Sequence, residues 1–309
     1  MKKTSETSAG PLLPQSLVKG DTIGLVAPAG PIGDIDRFHS GIRLIEEFGF
    51  QVKFERDIER RKEYLAGSDQ HRLKEFHDLW ADNEVKAILA VRGGYGSLRM
   101  VSSLDMDLIR QHPKMLIGFS DICVLLTAFL KQTNLVGFHG PMVTTLPGCN
   151  RSSIQAFFNA ITGRAPDRIK PTELEILSPG QAEGRLFGGN LTTLVHLLGT
   201  PYELSWDNSI LFLEDVNEAP YRIDRILTHL KEAGKLEKIN GIILGKFQDC
   251  GDEGIIWNRI LELMGENKIP IWSNFPSGHC ENNQILPLGI PVQMDSANGT
   301  LLFRTPWTS

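Results

Sequence analysis

Three polar side chains stand where the chain leaves apolar segments, and together they would supply a nucleophile, a base and an acid to orient the base. Ser120 lies in Gly118-Phe119-Ser120-Asp121, between an apolar run at 115–118 and another at 122–126. A serine at such a junction sits at the positive end of a helix and at the carboxyl edge of a sheet, where ligands bind. The G-x-S-x-G elbow is not met, because Ile122 replaces the second glycine. On this segment alone, a helix N-cap at Ser120 or Asp121 is the simpler explanation.

His279 is the histidine best placed to act as the base. It lies in a loop at 274–282 followed by Leu286-Pro287-Leu288-Gly289, with no helix to fix its orientation. His71, His77 and His229 fall instead on amphipathic helical stretches. The H-x-E of His279 and Glu281 lacks the P-C-x-x-C that a zinc deaminase needs. Glu214 closes the apolar run 210–213, so it must find a partner or carry a desolvation cost, and a histidine suits it. Asp215 and Glu218 could do the same, although they also fit as acids at the start of a helix opening at Pro220.

A fourth segment, Arg92-Gly93-Gly94-Tyr95-Gly96-Ser97, leaves a buried strand and enters a helical stretch. A dinucleotide fingerprint starting at Gly94 fails because Arg99 stands at its last glycine, and no G-K-[ST] follows for a phosphate loop. What remains is either a tight turn or a loop whose exposed N–H groups hold an anion or oxyanion.

The elements that must position these groups alternate between strand and helix. Apolar runs at 23–27, 87–91, 115–118 and 135–138, with Val52-Lys53-Phe54, read as strands. Helices are expected around Ile35 to Phe48 and Leu73 to Trp80. That order predicts an N-terminal parallel-sheet α/β domain with helices on both faces. The pattern weakens across Pro166, Pro171 and Pro179. Strands then return at 210–213 and 241–245 and near Val292 and Leu301, with helices near 190–198, 220–233 and 254–264, which predicts a C-terminal mixed α+β domain. The expected division is a flexible tail at 1–14, the N-terminal domain at 15–150, a linker at 151–183 and the C-terminal domain at 184–309.

Composition sets bounds on partners and compartment. The chain has 309 residues, more than the ~150 that serve as a prior for one domain. Its net charge is −5, which argues against nucleic acid or an anionic membrane bound by bulk electrostatics. Four scattered cysteines form no C-x-x-C pair or zinc spacing and read as reduced. With neither a signal-like h-region nor a run of 18 apolar residues, the expected location is cytoplasmic, with no membrane partner.

Taken together the segments resemble the LD-carboxypeptidase family, the muramoyltetrapeptide carboxypeptidases and the related microcin C immunity peptidases. The resemblance rests on residues 20–28, 92–96, Gly118-Phe119-Ser120-Asp121, Gly188-Gly189-Asn190-Leu191, Glu214-Asp215-Val216-Asn217-Glu218, and Gly278-His279 with Leu286-Pro287-Leu288-Gly289, six pieces in order. It implies a two-domain serine peptidase with Ser120, Glu214 and His279 as catalytic residues and the site formed between the domains. Gly94 and Asp121 are then the expected oxyanion donors, with no metal or organic cofactor. The implied substrate is a cytoplasmic murein tetrapeptide losing its terminal D-alanine, and the implied assembly is a homodimer. An immunity-type peptidase acting on aminoacyl-sulfamoyl adenylates, or a non-catalytic peptide-binding module, are the alternatives. Arg92, Arg222 and Arg225 are candidates for the substrate carboxylate, the last two explained equally well by helix-surface ion pairs.

Overall fold

A computed structural model describes residues 10–309. The chain opens with β1 (Thr22–Val26), α1 (Ile35–Glu47), β2 (Gln51–Lys53), α2 (Asp69–Ala81), β3 (Val85–Ala90), α3 (Ser97–Met100), α4 (Met106–Gln111), β4 (Met115–Gly118), α5 (Cys123–Thr133), β5 (Gly137–His139) and α6 (Arg151–Ile161). It continues through β6 (Arg168–Ile169), β7 (Glu175–Ser178), β8 (Gln181–Asn190), α7 (Leu191–Val195), β9 (Ser209–Val216), α8 (Pro220–Glu232), β10 (Gly241–Gln248) and α9 (Glu253–Met264). The last four strands are β11 (Ile271–Ser273), β12 (Leu286–Leu288), β13 (Pro291–Asp295) and β14 (Thr300–Phe303). This is the expected α/β chain with two sheets.

Local chemistry accounts for the elements around the site. α1 begins at Asp34, whose carboxylate accepts from the Arg37 amide at 2.9 Å, and α2 begins at Ser68, which accepts from the His71 amide at 3.2 Å. Both are N-caps that satisfy a helix's first free donors. α5 is apolar and buried along nearly its whole length and stops where Asn134 turns left-handed, φ 60°. β1, β3 and β4 are apolar and almost wholly buried, as strands covered on both faces must be.

The first sheet has the order β12-β5-β4-β3-β1-β2, parallel throughout except at β12. Because β2 lies on one side of β1 and β3 on the other, the loops that follow β1 and β3 diverge at the carboxyl edge. That divergence opens a crevice, the usual ligand position in such sheets. The second sheet has the order β6-β14-β13-β8-β9-β10-β11-β7, with β8, β9, β10 and β11 parallel and the flanking pairs antiparallel.

Three boundaries differ from those expected. Of the tail at 1–14, residues 1–9 lie outside the described residues. Leu12, however, bridges to Leu135, and the Pro14 carbonyl accepts from the Ser309 amide at 2.9 Å, so the inner part of the tail is tied to the segment before β5 and to Ser309. The stretch 151–183 is no linker: it holds α6, whose buried side includes Phe157 and Phe158, then β6, β7 and the start of β8. And β12, far beyond residue 184, pairs antiparallel with β5 and so belongs to the first sheet. Pro166, Pro171 and Pro179 mark the stretch 151–183 as irregular, but prolines are also compatible with short and edge strands.

Candidate active site

Ser120 follows β4 after a single residue, Phe119. Phe119 is extended, and Ser120 itself takes φ +61°, opening a single 3-10 turn that leads into α5. A left-handed serine costs about 1–2 kcal/mol. The buried strand before it and the buried helix after it fix the turn against that cost, the kind of strain found where a side chain must be presented.

The glycine loop is built against this turn. A Cβ placed on Gly93 would lie 2.8 Å from Ser120 Cβ and 2.9 Å from its Oγ, so only glycine lets the loop approach so closely. Two further contacts hold the loop there. The Ser97 amide donates to the Asp121 carboxylate at 2.8 Å. The wholly buried Arg72 donates through Nη1 to the Gly96 carbonyl at 2.9 Å and to the Pro28 carbonyl, tying the loop after β3 to the loop after β1.

Glu214 and His279 come from the second half of the chain. Glu214 lies in β9 with no exposed surface, and its Oε2 accepts from His279 Nδ1 at 2.7 Å. Glycine at 278 permits this approach, since it takes φ +115° and a Cβ there would fall 2.7 Å from Oε2. The loop is anchored to β10, where the Phe275 amide donates to the Leu244 carbonyl at 3.0 Å and the Lys246 amide to that of Ser277 at 3.1 Å. The His279 ring lies 4.6 Å from that of Phe119.

Burial opposes ionisation of both partners. For Glu214 the penalty is outweighed by the two histidines beside it, His279 and His139, which hold its carboxyl down at about 2. For His279 burial again disfavours the charge, but the Glu214 carboxylate and its hydrogen bond prevail and raise the imidazole above its ordinary value. The pair is therefore arranged to stabilise a cationic imidazole.

Ser120, His279, Gly93, Gly94 and Arg92 line one pocket of about 400 Å³ at the crevice between the loops after β1 and β3. Of the three acids near 214–218, only Glu214 meets His279. Asp215 accepts from Asn190 Nδ2 at 3.0 Å and from the Thr192 amide and hydroxyl at 2.9 and 2.7 Å, a structural role. Glu218 pairs with Arg222 at 3.5 Å. Asp121 lies directly beyond Ser120, its carboxylate engaged by Ser97.

Comparison with known proteins shows the family. The model of the LD-carboxypeptidase N-terminal domain matches residues 23–140, and that of the LD-carboxypeptidase C-terminal domain matches residues 183–294. The chain belongs to the LD-carboxypeptidase family. A probable murein peptide carboxypeptidase of Bacillus subtilis (strain 168) is 38% identical over 303 residues, covering 94% of each chain. A muramoyltetrapeptide carboxypeptidase from Oxalobacter formigenes superposes with a TM-score of 0.79 and 29% identity over 92% of this chain and 99% of that one. The microcin C7 self-immunity protein in complex with aspartyl sulfamoyl adenosine superposes with a TM-score of 0.90 at 26% identity, covering 97% of this chain and all of that one (100%).

Two residues beside the site fall outside the candidates read from the sequence. His139, at the end of β5, is fully buried with Nε2 3.8 Å from Glu214 Oε1, so the carboxylate lies between two imidazoles. Its position at a strand's carboxyl edge was the available signal. Arg72 was hidden on a helix otherwise read as amphipathic. Among the described residues, Glu55, Asp57 and His71 approach as metal ligands do, within 4.8 Å. Arg60 already fills that role, pairing with Asp57 and lying 3.3 Å from His71 Nδ1. No helix among the described residues is long and apolar enough to cross a membrane.

Gly93→Ala is expected to lower carboxypeptidase kcat by about 10²-fold, because the new methyl displaces the Ser120 side chain. Gly93 itself has no positive φ, so the backbone tolerates alanine. Comparison of kcat with the urea midpoint checks this: the rate should fall while the protein remains cooperatively folded, and an unchanged rate would mean that the contact does not fix Ser120.

Proposed function

We propose that the protein is a serine-type LD-carboxypeptidase that hydrolyses the amide between the L-centre of a diamino acid and the terminal D-alanine of a murein tetrapeptide during cytoplasmic cell-wall recycling. The observation that carries this reading is the 2.7 Å bond from His279 to the buried Glu214, beside a serine held at positive φ in the same pocket.

With Nδ1 bound to the carboxylate, His279 carries its proton on that nitrogen and leaves the Nε2 lone pair as the base. Nε2 takes the Ser120 hydroxyl proton as Oγ attacks the scissile carbonyl. The negative oxygen is received by backbone N–H groups of Gly94 and Asp121, each worth roughly 3 kcal/mol to the transition state. The imidazolium, stabilised by Glu214, returns the proton to the leaving amine and frees D-alanine. A water then attacks the acyl-serine, giving its proton to His279, which passes it to Ser120 Oγ as the acyl–oxygen bond breaks and the tripeptide leaves with a new carboxylate. No step calls on a cofactor. The family resemblance adds the expectation of a homodimer, which light scattering tests.

The deciding experiment measures D-alanine release from a murein tetrapeptide beside hydrolysis of an aminoacyl-sulfamoyl adenosine. Release from the tetrapeptide alone supports the reading, adenylate hydrolysis alone transfers the chain to the immunity-type activity, and turnover of neither refutes both. Because His279 must be neutral to act and its pKa is raised, kcat/KM should fall as pH drops through a point above the ordinary histidine value of about 6.5.

A further inference from the structure

The hydrolytic machinery alone does not explain why an enzyme should stop at the last residue of a peptide. We propose that the Arg92 guanidinium binds the free C-terminal carboxylate of the substrate and so makes the site a carboxypeptidase. The inference rests on the carboxypeptidase reading above. When the scissile bond is the last one, only the amide nitrogen and one Cα separate the attacked carbonyl from the terminal carboxylate. The cation that reads it must therefore lie within one side chain's reach of Ser120.

Arg92 meets that condition. It precedes Gly93, which touches Ser120, and its side chain lines the pocket that holds Ser120 and His279. Among the described residues it has no acidic partner, and Nη1 makes a single bond, to the Pro31 carbonyl at 3.2 Å. A guanidinium has five donors in a planar fork, so paired N–H groups remain for the two oxygens of a carboxylate. The group is also held in place. A Cβ on Gly30 would come within 3.5 Å of its Nε, one on Gly33 within 3.1 Å of Nη1, and one on Gly94 within 3.7 Å of Nη2. The glycines leave a slot shaped to the side chain, which lowers the entropy lost on binding.

The other cations are occupied or misplaced. Arg37 reaches the same pocket but stands 3.6 Å from Asp34. Arg222 and Arg225 lie on α8 over the Tyr221 ring, 6.0 and 5.6 Å from its centroid, and line no part of this pocket. Lys246 donates to Asn274 Oδ1 at 3.3 Å.

The test pairs a murein tetrapeptide ending in D-alanine with the same peptide ending in D-alaninamide. Their kcat/KM ratio is measured for the unaltered enzyme, Arg92→Lys, Arg92→Ala and Lys246→Met. Their affinities for Ser120→Ala, with and without Arg92→Ala, are measured by calorimetry. The unaltered enzyme should favour the acid by about 10- to 100-fold, Arg92→Ala should bring the ratio near one, and Arg92→Lys should restore part of it. An Arg92→Ala ratio equal to that of the unaltered enzyme, a loss equal for acid and amide, or a preference lost in Lys246→Met instead would overturn the assignment. If no D-alanine is released yet Ser120→Ala binds the acid over the amide only with Arg92 present, the peptidase reading falls and this one stands. If release occurs without any acid preference, the reverse holds.

Discussion

Ser120→Ala should release no measurable D-alanine, a loss of at least ~10⁴-fold in kcat, while its stability stays within about 0.5 kcal/mol of the parent. The hydroxyl is the proposed nucleophile, and without it His279 has no serine proton to take and no Oγ attacks the carbonyl. Alanine keeps the left-handed backbone, so the fold loses one partly exposed hydroxyl and nothing more. Ser120→Gly sharpens the comparison. Relief of about 1–2 kcal/mol of backbone strain meets an entropic cost of about 0.5–1 kcal/mol for glycine, so that variant should be no less stable than Ser120→Ala and equally inactive. Residual turnover in either variant, measured by D-alanine release with chemical denaturation run alongside, would remove Ser120 from the mechanism.

Glu214→Gln should lower kcat by roughly 10³- to 10⁴-fold and move the acid limb of the pH profile. The sign follows from the charges. His279 is raised because the Glu214 carboxylate outweighs the cost of burying an imidazolium. A neutral amide at 214 leaves only the weaker pull of Asp215 against the burial cost, so the imidazole titrates at lower pH and the remaining activity persists further into acid. Glutamine also offers an N–H where a carboxylate oxygen had accepted, which can turn the ring to the wrong tautomer. A rate loss without the shift would point to misplacement of the ring, and a change under tenfold would mean that Glu214 does not orient the base. Glu214 is fully buried and faces His139 as well, so the fold of the variant is checked by denaturation before rates are compared.

The first sheet was legible because its central strands are buried on both faces and α1 and α2 are periodic and open on capping side chains. Apolar runs such as Thr22–Val26 and Val85–Ala90, broken by periodic helices, leave few alternatives. The same logic failed where a strand's burial comes from its neighbours. β8, with the sequence QAEGRLFGGN, is part polar and rich in glycine, yet it joins β13 to β9 at the centre of the second sheet. β12 is three residues with proline in the middle, stabilised by β5 at an edge. The candidate site divides in the same way. Ser120 and Glu214 announce themselves at the ends of apolar runs, and His279 by its loop. Only three-dimensional proximity separates Glu214 from Asp215, which Asn190 and Thr192 claim. The same proximity is needed to see that Arg92, unlike Arg222, stands with the serine.

The antiparallel pairing of β12 with β5 also orders events in time. During synthesis the sheet that carries Ser120 emerges first, and β5 keeps an open edge until residues 286–288 have left the ribosome. An unpaired edge invites pairing with another chain, so a product stopped short of residue 286 would expose one and should be prone to aggregate. The proposed base arrives just ahead of the closing strand, at residue 279. Until then a nascent chain holds Ser120 without its proposed partner, so on the proposed mechanism hydrolytic competence arrives as the sheet is sealed.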